Sequence, residues 1–288
     1  MIRETFKHNP YRTEKIAHAL LFSATVLVVL PVIFILWVII QKGWSALSWE
    51  FLTAMPRNGM REGGIFPAIV GTVYLVVGTL IFSLPLGVFA AIYLTEYAKD
   101  NMLTRLVKLA IINLAGVPSV VYGLFGLGIF VMFLKFGSSI LAGSLTLAIM
   151  VLPIIITTTR EALDSVPQSF REVSLSLGVS KWQTIRYAVL PHALPGILTG
   201  VILAVSRAAG ETAPILFTVA AFYLPHLPES IFDQAMALPY HLYVMSTQVP
   251  NVEVSVRYGT ALVLLIMVLS MNILAMVVRA RFRKRKKW

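Results

Sequence analysis

Six stretches of this chain are apolar for long enough to cross a lipid bilayer: 16–40, 68–94, 106–134, 139–159, 196–224 and 258–278. A hydrocarbon core takes ~20 helical residues to span. Inside it every backbone N–H and C=O must be satisfied within a helix or a closed barrel. Barrel strands would show as runs of ~10 residues with alternating polarity, and no such alternation occurs. The sequence therefore specifies an all-α membrane protein with six transmembrane helices. Composition agrees, with 58% hydrophobic and only 13% charged residues, against ~25% charged in soluble domains.

The net charge of +11 is placed as topology requires. Before the first run stand Arg3, Lys7, Arg12 and Lys15. Lys99, Arg105 and Lys108 follow the second, and Arg160, Arg171, Lys181 and Arg186 follow the fourth. Seven basic residues close the chain from Arg279 to Lys287. The alternate loops hold Lys42, Arg57, Arg61, Lys135 and Arg257, so the count is eighteen against five. Positive charge marks the cytoplasmic side, which puts both termini there and requires an even number of spans. The domain expectation is a cytoplasmic segment 1–15, one six-helix transmembrane domain 16–278 with a cytoplasmic loop 160–195, and a basic cytoplasmic tail 279–288. Loops 41–67 and 225–257 face outward. A basic cluster beside a span is topogenic or lipid-facing, so a nucleic-acid partner is not expected. The first run is longer than the apolar core of a signal peptide and is expected to be retained. The chain has no cysteine and its five histidines show no ligand spacing, so no metal is expected; its 13 carboxylates are scattered, so no catalytic residue is singled out.

Within the fifth run lies Arg207, with Glu211 four residues on. A fixed cation at bilayer depth costs at least ~2.5–3.5 kcal/mol on insertion scales, and such residues face a partner or a polar path. At i and i+4 the two share a helix face. Gly210 and Pro214 bracket Glu211 and predict a bend. The bland alternative is a structural ion pair; the functional one is a path for an anion. Prolines at 31, 85, 118 and 153 and the small residues Gly196 and Gly200 favour kinks and close helix packing.

The loop 160–195 is too patterned for a linker. Pro167 suits a first helical turn, Phe170, Val173 and Leu177 fall on one face, and Gly178 stops the helix. Ser180 and Gln183 make a capping box for a second short helix that ends at Pro191. A helical hairpin on the cytoplasmic face can dock a partner or pack on its own bundle. On the residues alone three classes stay open: an ATP-driven importer subunit, an ion-coupled anion carrier using Arg207 and Glu211, and a membrane-embedded enzyme. The chain lacks the GxxxxGK[ST] phosphate-binding loop, so ATP hydrolysis would fall to another chain.

Glu172-Val-Ser-Leu-Ser-Leu-Gly178, nine residues, then Ala188-Val-Leu190-Pro191 resembles the coupling-loop signature (EAA loop) of ABC-transporter inner-membrane permeases. Glu172, Gly178, Leu190 and Pro191 match; Val173, Ser174 and Ala188 depart from it. Further stretches resemble the PstA-type phosphate transport permeases: Glu62-Gly-Gly-Ile65-Phe-Pro67, Ala90-Ala-Ile-Tyr93-Leu-Thr-Glu96-Tyr97-Ala98, Pro118-Ser-Val-Val-Tyr122-Gly123, Arg207-Ala-Ala-Gly210-Glu211-Thr-Ala-Pro214 and Ala237-Leu-Pro239-Tyr240. The resemblance implies a type I ABC importer permease bundle in the bacterial inner membrane, importing inorganic phosphate. It implies that Glu172, Gly178, Phe170, Val173, Leu177, Leu190 and Pro191 form the ATPase-coupling element. It also implies a PstB-type ATPase that uses ATP and Mg, a second PstC-type permease and a periplasmic PstS-type phosphate-binding protein, with no cofactor held by this chain. Sulfate or molybdate remains the alternative anion.

Overall fold

The apolar runs become helices, except for the far end of the fifth, in the computed structural model, which describes residues 10–284. The basic residues Arg3, Lys7, Arg285, Lys286 and Lys287 lie outside the described residues. The order is α1 (Pro10–Gly43), α2 (Trp49–Thr53), α3 (Phe66–Ile92), α4 (Met102–Ala115), α5 (Ser119–Gly126), α6 (Ile140–Asp164), α7 (Gln168–Ser176), α8 (Lys181–Gln183), α9 (Leu190–Gly210), α10 (Ala213–Thr218), α11 (Leu238–Thr247) and α12 (Val254–Lys284). A two-residue antiparallel ladder, β1 (Pro56–Arg57) with β2 (Glu62–Gly63), closes the loop ahead of α3. Side-chain caps set several helix starts. Ser48, Asn101 and Ser139 accept from the N–H groups of Phe51, Thr104 and Ala142, satisfying donors that an open helix end leaves free.

Small residues fix how the helices lie. A Cβ on Gly78 would strike Ser144, and one on Gly87 would strike Ile155, so α3 and α6 run parallel along a tight seam. A Cβ on Gly196 would meet Ala162, and one on Gly200 would meet Thr158, so α9 runs antiparallel to α6. Ser206 donates to Asn272 at 2.7 Å and Arg279 to Thr199 at 3.0 Å, so α12 runs antiparallel to α9. Lys42 sits over the Tyr258 ring at 5.2 Å, which reverses α1 against α12. The starting end of α1 and the far end of α12 thus lie on the same side of the bundle as α7. Leu147, Met150, Val151, Ile155, Ala204, Ala209 and Ile215 fill the centre.

Two spans depart from expectation. The third is broken: α4 and the helical stretch Ser119–Phe133 meet at 104°. The cap residue Gly116 (φ −89°, ψ −6°) ends α4, and Pro118, which offers no N–H, begins the next helix in an extended conformation (φ −58°, ψ 140°). The fifth span is corrected at both ends. It does not run to residue 224: α9 stops at Gly210, and Glu211 is already extended (φ −77°, ψ 133°). The apolar residues beyond form the short α10 and an irregular segment that bonds back through Ala221 N–H to the Ala235 carbonyl at 3.0 Å. At its other end the second hairpin helix does not end at Pro191. Helix is continuous over Lys181–Gly210, because Pro191 falls in the first turn of α9 and a π turn at Thr184–Val189 precedes it.

Candidate functional site

The register of α9 on α6 sets the depth of Arg207. Gly200 faces Thr158, so seven residues further on Arg207 stands level with Val151, near the middle of α6. It occupies the last turn of α9, where a cation complements the partial negative charge of a helix C-terminus. Its Nε lies 3.4 Å from Glu211 Oε1, with the side chains 32% and 18% exposed. At that distance and an effective dielectric near 20 the attraction is about 5 kcal/mol before desolvation is subtracted. The expectation of a shared helix face needs correction, since Glu211 lies just past the helix. The pair closes across the helix end, and Gly210 marks a termination rather than a bend. Pro214 does not kink the span either; it opens α10.

The second break meets the first here. Tyr122 donates to the Leu114 carbonyl at 2.7 Å, bridging the bend between α4 and α5. Gly123 lets α5 lie directly on the start of α10: a Cβ there would come within 3.0 Å of the Ala213 carbonyl and Pro214 Cα. Two discontinuous helices therefore face each other at mid-depth with a cation, a carboxylate, a phenol and loosened backbone between them. Such breaks are where transporters place polar binding groups. The arrangement can neutralise an anion, orient it through the planar fork of arginine, and accept a proton-bearing oxygen at Glu211.

At the hairpin the local predictions from Gly178 and Ser180 are met. Gly178 takes φ +80° with open space where a Cβ would stand, and the box of Ser180 and Gln183 forms with both bonds present. Val173 (62% exposed) and Leu177 (78%) project outward, as does Glu172. Phe170 departs from them. It is part-buried against the cluster of Ile92, Ala162, Ile185 and Ile197, with its ring 4.7 Å from that of His192. Leu190 and Pro191 are part-buried inside the continuous helix, so they seat the hairpin instead of lining its outer face.

Sequence reasoning missed three side chains that the fold brings in. Glu96 and Arg171 form a nearly buried ion pair at 2.7 Å. Asn272, at the depth of Ser206, is the third. Lone charges at span ends occur in every membrane protein, so only the partner distinguishes Glu96 and Arg171. Asn272 in an otherwise apolar run was the one available signal.

The family described as binding-protein-dependent transport system inner membrane component matches residues 83–288. The phosphate transport system permease protein PstA 1 of Mycobacterium tuberculosis H37Rv is 34% identical over 277 residues, covering 94% of this chain and 89% of that protein. The phosphate transport system permease protein PstA of Yersinia pestis is 35% identical over 288 residues, covering 96% and 93%. Among solved structures, a bacterial ABC transporter involved in the import of the acidic polysaccharide alginate aligns with TM-score 0.69 at 12% identity, over 95% of this chain and 99% of that one. An inward-facing form of the MetNI methionine ABC transporter aligns with TM-score 0.57 at 15% identity, over 76% and 94%. At such identities these two structures speak for the fold, that of type I ABC importer permeases.

Proposed function

This chain belongs to the binding-protein-dependent transport system inner membrane components, and on that premise we propose that it is the PstA-type permease subunit of an ATP-driven importer of inorganic phosphate. It is a multi-pass membrane transport subunit and not itself an enzyme. Permeases of this family work with an ATPase and a periplasmic binding protein. Our finer assignment is a PstB-type ATPase using ATP and Mg, a PstC-type second permease and a PstS-type binding protein. The domain is the span 16–278 with its hairpin 160–195 as the docking element. Glu172, Val173 and Leu177 form the outward contacts, and Phe170, Leu190 and Pro191 hold the hairpin in place.

The observation that carries the transport reading is Arg207, a cation at mid-depth where two broken helices meet. Relatives at about 35% identity support phosphate as the anion, and Glu211 adds a chemical reason. Hydrogen phosphate can donate a hydrogen bond to a carboxylate, whereas fully ionised sulfate cannot. The test is uptake of labelled phosphate, sulfate and molybdate into proteoliposomes holding the full complex, with ATP on the ATPase side. Phosphate uptake that requires ATP and the binding protein is expected. Uptake without nucleotide would point to an ion-coupled carrier, and preference for sulfate or molybdate to another oxyanion permease. Our assignment puts the chain in the bacterial inner membrane with both termini cytoplasmic, on the eighteen-to-five distribution of basic residues. A single cysteine at Ser230 should then react with an impermeant reagent in intact spheroplasts, and labelling only after permeabilisation reverses the assignment.

A further inference from the structure

The guanidinium of Arg171 has more to do than balance a carboxylate. Its Nε and Nη2 donate to Glu96 Oε1 at 3.1 and 2.7 Å, its Nη1 to the Val166 carbonyl at 2.9 Å, and its Nη2 also to the Leu163 carbonyl at 2.9 Å. Both side chains are close to buried, at 11% and 8% exposure. One side chain of α7 thereby joins the turn that follows α3, which carries Glu96, to the Leu163 carbonyl in the last turn of α6 and the Val166 carbonyl just beyond it. The backbone is shaped for this contact. Glu96 lies in a π turn, Tyr93–Tyr97, that closes α3; one extra residue in a turn rotates the succeeding side chains by about 100°. Such turns cluster at functional positions.

A buried ion pair is a poor device for stability alone, since apolar residues of the same volume hold as well. What it adds is a directional link. The neighbouring residue, Glu172, is exposed and points away, so adjacent charges divide between an outward contact and an inward anchor. The Ser174 hydroxyl lies 3.0 Å from that of Thr184, which ties α7 to the helix that becomes the fifth span. We infer that Glu96 and Arg171 are positioning residues that make α7 and the cytoplasmic end of α3 move as one body, so that a pull on the hairpin reaches the second span directly. The inference rests on the reading of this chain as an ATP-driven permease, and it adds a route into α3 beside the covalent ones into α6 and α9.

The experiment uses the complete complex with a cysteine-free background. Spin labels on Gln168→Cys and Tyr93→Cys report the distance between α7 and the end of α3. In the parent chain that distance stays fixed between nucleotide-free and ATP-bound states. In Glu96→Gln it broadens and becomes nucleotide-dependent, and phosphate moved per ATP falls about tenfold, the middle of the range for changes within a coupling network, while the ATPase still co-purifies. A parent distance that shifts with ATP, or a Glu96→Gln complex with unchanged distance and unchanged ratio, overturns the inference. If Glu96→Gln does not assemble, Glu96→Cys with Arg171→Cys bridged through two disulfides by a bis-methanethiosulfonate decides. Coupling restored by the bridge and lost on reduction supports the link; equal coupling in both forms overturns it. Loss of the ATPase from every variant also overturns it, since the pair would then serve assembly. Failure of the parent complex to take up phosphate with ATP counts against the function proposed above, whereas the distance measurement responds to nucleotide alone.

Discussion

Replacing Gly178 separates a backbone requirement from a contact requirement. The residue takes φ +80°, and nothing lies within 4 Å of the position of a Cβ. In the isolated chain a side chain therefore meets no obstacle, and the whole cost is conformational. Left-handed backbone costs an ordinary L-residue ~1–2 kcal/mol, which lowers the population of the formed turn by about 5- to 30-fold. Asparagine adopts that region far more readily than other residues do, and β-branched residues resist it most. ATPase retained per permease on affinity purification, and ATP-driven uptake, should fall in the order Gly, Asn, Ala, Val, with Gly178→Val nearly inactive and all four proteins present in the membrane. If the ATPase instead needs the empty space, bulk decides and alanine outperforms asparagine. That reversed order, or normal uptake by Gly178→Val, refutes the turn argument.

Arg207→Gln should abolish uptake while the protein still reaches the membrane, and Arg207→Lys, which keeps charge but loses the fork, should retain a fraction; wild-type uptake by Arg207→Gln removes the residue from the path, and loss of the protein makes it structural. Gly71→Ala would drive a methyl into the Met236 carbonyl, and overpacking of that kind costs ~1–3 kcal/mol; the melting temperature of the purified protein should drop by several degrees. Burial pushes His241 down to about 4 from its ordinary 6.5, and neither ring nitrogen has a hydrogen-bond partner among the described residues. The unfolded chain then binds the proton first, so stability is complete above pH 6.5 and is lost by up to about 3 kcal/mol as pH falls toward 4. His241→Leu should flatten the dependence of melting temperature on pH over that interval, and an unchanged slope rejects the assignment.

What the sequence made legible came from local physics. Apolar length marked the spans, the glycine at 178 marked a left-handed turn, and Ser180 with Gln183 marked a helix start. Each depends on residues within one or two turns of one another. What escaped depends on partners far along the chain. Apolar residues 213–224 have the composition of a span but are held by Ala235 and by α5, so Glu211 leaves the helix that its spacing predicted. Pro191 looked like a helix stop, yet the helix runs on through it behind the π turn at Thr184–Val189 and accommodates Pro195 in its interior. The 104° break in the third span was foreshadowed by Gly116 and Pro118, but their sequence does not set its angle. Glu96 and Arg171 are 75 residues apart, and neither residue type announces its partner. Arg207 was the exception, because a cation within an apolar run is conspicuous without any knowledge of the fold.

The parallel seam between α3 and α6 has a consequence for how the chain is made. The two helices are not neighbours in sequence, so α3 enters the bilayer with its proper companion still unsynthesised. At 5–20 residues per second, the interval between Phe66 and Ile140 lasts on the order of 4–15 s. Through that time the notches at Gly78 and Gly87, and the Ser83 hydroxyl, which has no hydrogen-bond partner among the described residues, confront lipid or whatever helix drifts past. Notches of that kind accept many surfaces, so the nascent chain passes through a window in which α3 is open to wrong company, closed only when the fourth span arrives from the translocon.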